Sequence, residues 1–169
     1  MGRNQISVAA VLLLLCLTPA AAQIKDPAAA ETVSWTVSAQ PADAVKPTST
    51  LMLTLHAQVR EGWHVYALRQ LAGGPTPLRV SVEPNNIVVA SGEVIGSPPI
   101  KVHDPSFDLD TQLYSHAFSV TLPAHIASRP AAGRQLIPVS VRFQTCNDRI
   151  CQPPKTVHLS AWITVLAAK

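Results

Sequence analysis

Only three of the 169 residues are cysteine, and two of them stand close together in Thr145-Cys146-Asn147-Asp148-Arg149-Ile150-Cys151-Gln152-Pro153-Pro154. Two thiols at this spacing support three kinds of chemistry: a covalent staple, part of a metal site, or reversible electron exchange with another dithiol. Zinc fits worst, because a structural site takes four ligands, no second cysteine pair exists, and the six histidines are dispersed. A staple is open but weak. The loop it closes holds about six residues, for which chain entropy gives roughly 2 kcal/mol before any strain is subtracted. The inter-sheet disulfide of an immunoglobulin domain closes a far longer loop, and this pair cannot replace it.

Local pattern bears on the same choice. Arg142 to Cys146 reads as a strand, Asn147-Asp148 is turn chemistry, and a partner strand resumes after Pro153-Pro154. Facing positions across such a turn have Cα atoms roughly 4.5 to 5.5 Å apart, within disulfide reach. Counting along the strand puts Cys146 with Arg142 and Gln144, opposite Val141 and Phe143, so its sulfur is expected to face away from the core unless a bulge intervenes. An outward sulfur can be attacked, and Arg149 in the loop would favour a thiolate by its charge. The residues alone leave structural and exchange-active readings both open.

The N-terminus indicates the compartment. Arg3, the apolar run Ser7 to Leu17 and the small residues Ala20-Ala21-Ala22 have the order of a secretory signal peptide, residues 1–22, ending before Gln23. Cys16 would leave with it. Taking 22 residues from 169 leaves 147, one domain's worth, and losing Arg3 leaves 12 basic against 10 acidic residues. Those charges are scattered, which speaks against a nucleic-acid partner. No later run is long and apolar enough to cross a membrane, so the mature protein is expected to be soluble. In an exported, oxidising setting the remaining even pair, Cys146 and Cys151, is expected to be able to bond.

The elements that must position this pair read as strands. Fifteen prolines and seven glycines break the chain into short pieces. After a lead-in at 23–30, alternation of apolar and polar residues marks Leu51 to Arg60, Tyr114 to Leu122, Ile137 to Phe143 and Val157 to Val165. Weaker strands are Thr32 to Ser38, Trp63 to Ala67, Leu78 to Val82 and Ile87 to Ala90. Seven or eight short strands predict a single all-β domain over 31–169, an antiparallel β-sandwich, with a small barrel as the alternative. Ala72 to Pro77 reads as a stiff turn. Ser97 to Thr111 reads as a longer polar loop with Phe107 in its middle, an aromatic that needs something to cover.

Three segments resemble one family. "VRFQTCNDRICQPPKTVHL" is similar to the cysteine hairpin of the N-terminal periplasmic domain of the DsbD thiol:disulfide interchange proteins, although four residues separate the cysteines here where the family pattern has five. "EGWHVYAL", Glu61 to Leu68, resembles that family's aromatic strand, and "HDPSFDLDTQLYSHAFSVTLP", His103 to Pro123, its cap loop and following strand. The resemblance implies an immunoglobulin-like sandwich that relays electrons in the periplasm without a cofactor. Its implied partners are thioredoxin-like domains, periplasmic oxidoreductases serving disulfide isomerisation or cytochrome c maturation, and a membrane electron conduit, with no small-molecule substrate. It further implies that Cys151 forms the mixed disulfides, Cys146 resolves them, and Phe107 shields the bond. Trp63, His64 and Tyr66 would line the site, Trp63 and Tyr66 chiefly as core packing. Asp104 and Asp108 would either assist proton movement or simply be solvated. The rival reading is a non-enzymatic exported binding module with an inert hairpin disulfide.

Overall fold

The computed structural model describes residues 31–42 and 44–167. The expected signal peptide (1–22) and lead-in (23–30) lie outside the described residues. Every regular element among those described is a strand: β1 (Val33–Gln40), β2 (Ala44–Val45), β3 (Thr50–Val59), β4 (His64–Tyr66), β5 (Arg79–Val82), β6 (Val88–Ala90), β7 (Ile95–Gly96), β8 (Ile100–Asp104), β9 (Leu109–Tyr114), β10 (Phe118–Ile126), β11 (Gly133–Phe143), β12 (Thr145–Cys146) and β13 (Lys155–Val165).

Two sheets form an immunoglobulin-like sandwich. The first has the order β1-β3-β10-β6, with β7 also on β10; the second runs β2-β13-β11-β5. All pairings are antiparallel except β13 with β2. Alternation explains the layers. Leu51, Leu53, Leu55, Ala57 and Val59 of β3 turn inward, as do Ile137, Val139, Val141 and Phe143 of β11. The Trp35 ring bridges the sheets, 5.3 Å from Phe143 of the opposite sheet and 5.6 Å from Phe118 of its own. Truncating one of the fully buried leucines, such as Leu53→Ala, would cost about 2–5 kcal/mol.

A third, smaller sheet, β12-β4-β9-β8, carries Cys146, with Cys151 bridged to it, and around this sheet the structure corrects four expectations. Ser97 to Thr111 is not an open loop, because Ile100 to Asp104 pairs with Leu109 to Leu113 as a hairpin with Phe107 in its turn. β8 lies at the edge and is exposed on both sides for most of its length, so it lacks the alternation that marks a half-buried strand. Tyr114 to Leu122 is not one strand either. A bend at Ser115-His116 separates β9 from β10, and the period survives because Tyr114 and Phe118 both point inward and stack at 4.0 Å.

The third correction concerns Cys146, which is 1% exposed rather than facing solvent. β11 ends at Phe143, and Gln144 breaks the ladder, its side chain accepting the Thr76 amide at 2.8 Å. The chain re-enters as β12 on β4, in another sheet, so the inside-outside count restarts. Thr145 and Cys146 are then buried on opposite faces. Thr145 meets the Thr32 hydroxyl at 3.2 Å, and Cys146 packs with Tyr66 and Leu113. Furthermore, β13 after the proline pair partners β11 rather than β12, so the cysteine turn is not the head of a long hairpin.

Candidate redox site

The Cys146 and Cys151 sulfurs are joined in a disulfide, with Cα atoms 4.0 Å apart and an isolated antiparallel bridge between the two residues. Asn147 organises the loop between them. Its side-chain carbonyl accepts the Arg149 and Ile150 amides at 2.9 and 2.8 Å, and its own amide donates to the Ile150 carbonyl. Gln152 donates its amide to the Thr145 carbonyl at 2.9 Å, which holds the exit of the loop against its entry. Arg149 and Ile150 stand exposed on this loop, Ile150 at 58%. Sequence reasoning placed turn chemistry at Asn147 but gave it no role in the site; its acceptor two and three residues upstream of unpaired amides was the signal.

The bond is asymmetric. Cys151 is exposed, whereas Cys146 lies in a small cluster with Tyr66 and Leu113, against which Val102 and Phe107 pack. Phe107 meets the Tyr66 ring edge-on at 5.9 Å. Asp104 positions that aromatic. One carboxylate oxygen accepts the Ser106 amide at 2.9 Å, the other accepts the Tyr66 hydroxyl at 2.6 Å, and its main-chain carbonyl accepts the Phe107 amide at 3.2 Å. Asp104 is buried, which corrects the expectation of plain solvation: it is the rivet between the cap turn and the sheet beneath. Burial and this carboxylate push the Tyr66 phenol far above its ordinary range, so it remains a donor at any physiological pH.

Asp108 lies outside the core of the site. It is exposed, has φ +52°, and pairs with His103 at 3.5 Å, so its part is to close the cap turn in a backbone conformation that aspartate tolerates. Trp63 is half-buried against the main core. Gly62 precedes it at φ +76°, in a turn closed by the Trp63 amide on the Arg60 carbonyl at 3.0 Å; a side chain at Gly62 would strain the entry to β4. His64 is half-buried, its ring edge-on to Tyr66 at 5.0 Å. Burial lowers its imidazole pKa, while the charges of Asp104 and Asp148 act in the opposite direction. Tyr66 departs from the core role expected of it, since it belongs to the cysteine cluster rather than to the sandwich interior.

Among the described residues no group of three or more His, Cys, Asp or Glu side chains is placed to hold a metal ion, and no helix is long and apolar enough to cross a membrane. The arrangement is a disulfide on a β-sandwich that joins one exposed cysteine to one buried cysteine. The family model described as "Thiol:disulfide interchange protein DsbD, N-terminal" matches residues 30–161, and the chain belongs to this family. Membership suggests thiol-disulfide exchange chemistry in general terms. No curated protein sequence matches the chain. Among solved structures, the N-terminal periplasmic domain of ScsB from Proteus mirabilis is similar at 18% identity and a TM-score of 0.46, over 76% of this chain and 44% of that one. BcpA, the major pilin subunit of Bacillus cereus, is similar at 10% identity and a TM-score of 0.47, over 80% and 40%. The chain thus spans less than half the length of either solved chain.

Proposed function

We propose that the protein is a periplasmic electron relay that exchanges its Cys146–Cys151 disulfide with thioredoxin-like domains and exported oxidoreductases. The observation that carries this reading is the unequal burial of the two joined residues, Cys151 exposed and Cys146 buried in a cluster with Tyr66 and Leu113 against which Phe107 packs. Exchange needs an accessible point of attack, and unequal access to the two cysteines directs which sulfur is attacked and which leaves.

The chemistry follows from that asymmetry. A donor thiolate attacks Cys151 Sγ, the S–S bond breaks, and its electron pair leaves on Cys146 Sγ. The donor's second thiolate then attacks its own sulfur in the mixed disulfide, releasing Cys151 as a thiolate and carrying the donor to its oxidised form. Two electrons have moved, and no cofactor is required. In the reverse half-cycle Cys151 attacks an acceptor disulfide and Cys146 resolves the mixed species. The exposed Ile150 beside Cys151 offers an apolar contact to a docking partner, and Phe107 restricts which thiols reach the bond. Delivery to the periplasm would follow removal of residues 1–22, with a membrane electron conduit and cytochrome c maturation or isomerase oxidoreductases as the surrounding pathway.

Trapping tests the assignment. Cys146→Ser leaves Cys151 unable to be resolved, and mixed disulfides with thioredoxin-like proteins should accumulate in the native compartment, while Cys151→Ser should trap few. Absence of any such species from Cys146→Ser would sink the relay and favour an inert disulfide on a binding module.

A further inference from the structure

His64 has a place in the site that disulfide exchange through two sulfurs leaves unexplained. It pairs directly with Cys146 across the β4–β12 ladder. Facing residues of an antiparallel pair project to the same side of the sheet with Cβ atoms about 4.5–5.5 Å apart. Its imidazole Nε2 is buried and has no hydrogen-bond partner while the disulfide is intact. A buried polar nitrogen left unpaired is unfavourable, so one without a protein partner beside a redox pair is a candidate for a role in its chemistry. His64 also lines an open cavity of about 540 Å³ with Glu61, Trp63, Leu113, His116 and Asp148.

Building on the relay reading above, we infer that His64 is the proton partner of Cys146, taking up a proton as negative charge appears on that sulfur and releasing it when Cys146 attacks to resolve a mixed disulfide.

The balance is simple. When a donor thiolate attacks Cys151 Sγ, the bond to Cys146 breaks and its electron pair stays on Cys146 Sγ. The neutral imidazole accepts a proton from water, and an imidazolium–thiolate pair replaces a buried lone anion. On resolution, Cys146 Sγ re-forms its bond to Cys151 Sγ, the partner's sulfur departs with the electron pair, and the imidazolium returns its proton to water. A thiolate formed in the cluster with Tyr66 and Leu113 lies against apolar side chains, where an unpaired anion is costly.

The surrounding charges are set for such a response. Asp104 on β8 and Asp148 in the cysteine loop both favour protonation of His64, and burial opposes it. Tyr66 on the same strand stays neutral and is committed to Asp104, while Glu61 and His116 face the shared cavity. Burial disfavours the ring's proton and the two carboxylates favour it, so a further negative charge nearby shifts the balance toward protonation. That charge is the Cys146 thiolate, and by reciprocity the ring lowers the thiol's pKa as much as the thiolate raises the ring's.

The test uses the exported protein with Cys151→Ala, in which Cys146 is the remaining thiol of the pair, and follows thiolate absorbance against pH with and without His64→Gln. Adding His64→Gln should raise the Cys146 pKa by about one to three units, the effect of a nearby opposite charge. In the protein with both cysteines, proton NMR of the His64 ring should show a higher pKa in the reduced than in the oxidised state. Superimposable thiolate titrations, or a ring pKa indifferent to redox state, would overturn the inference, and the NMR comparison decides alone if His64→Gln does not fold. Neither measurement involves a partner protein. Loss of exchange with thioredoxin-like proteins would therefore remove the relay and leave the His64–Cys146 coupling standing, whereas normal exchange with unmoved titrations removes only the role of His64.

Discussion

At the scale of single residues, the site is held by Asp104. Its carboxylate joins the Tyr66 hydroxyl below to the Ser106 amide above, so the cap turn and the floor of the site share one anchor. Tyr66→Phe should cost about 1.5–3 kcal/mol, the range for a hydrogen bond to a charged group, measured by urea unfolding of the oxidised protein. A loss below a few tenths would mean that Asp104 is satisfied in another way. His64 gives a pH dependence of definite sign. Its imidazole pKa in the folded, oxidised protein lies below the ordinary 6.5, so the unfolded chain binds a proton first as pH falls. Stability should be unaffected by His64 above that value and decline as pH drops from 6.5 toward the folded pKa, and His64→Phe should flatten that decline in thermal melts. The Cys146–Cys151 bond and the need of Phe107 for a surface to cover were legible from residue type and family pattern. The burial of Asp104 was not, because an aspartate beside a proline in a polar stretch looks solvated until a distant tyrosine is folded onto it.

At the scale of elements, the turn of hairpin β8–β9 brings Phe107 against the cluster in which the short strand β12 buries Cys146, and the proposed cap is this contact. Phe107→Ala should leave the fold intact, since Phe107 packs on the cysteine cluster and not on the sandwich core. Reduction by dithiothreitol should then speed up about two- to tenfold, the rate equivalent of the ~0.5–1.5 kcal/mol that an aromatic pair contributes. Equal rates in the variant and the parent would show that Phe107 is no cap. Within the cysteine loop, Asn147→Ala removes the acceptor for two amides and should loosen the closed ring. The reduction potential should rise by about 20–30 mV, which a glutathione titration resolves. The long strands β3, β11 and β13 were readable because one face of each is buried and the alternation is clean. β8 was not, being an edge strand, and β12 was read only as the end of a strand from Arg142, because two residues with both faces covered carry no period of their own. The restart at Gln144 is also what defeated the count that sent Cys146 outward.

At the scale of the whole molecule, the sandwich is a rigid support whose core is complete without the disulfide. The sheets are joined by Trp35, Phe143 and the leucines of β3, and Cys146 sits outside that cluster on the third sheet, with Cys151 bridged to it. Reducing the bond should therefore leave the sandwich folded, and circular dichroism of the reduced protein should retain its β signal. The sandwich class was legible from strand count and alternation; the separate third sheet was not, because the β12–β4 and β4–β9 pairings that build it join segments far apart in sequence. The expected cleavage before Gln23 predicts that mass spectrometry of the exported protein returns a chain beginning at that residue. The central claim is that Cys146 and Cys151 exchange electrons rather than staple a loop, and the reduction potential of the pair tests it most directly. Equilibration against glutathione or thioredoxin should give a value above about −300 mV, in the range of couples that exchange with thioredoxin-like proteins. A value well below about −300 mV would mark the bond as a structural disulfide and contradict the account.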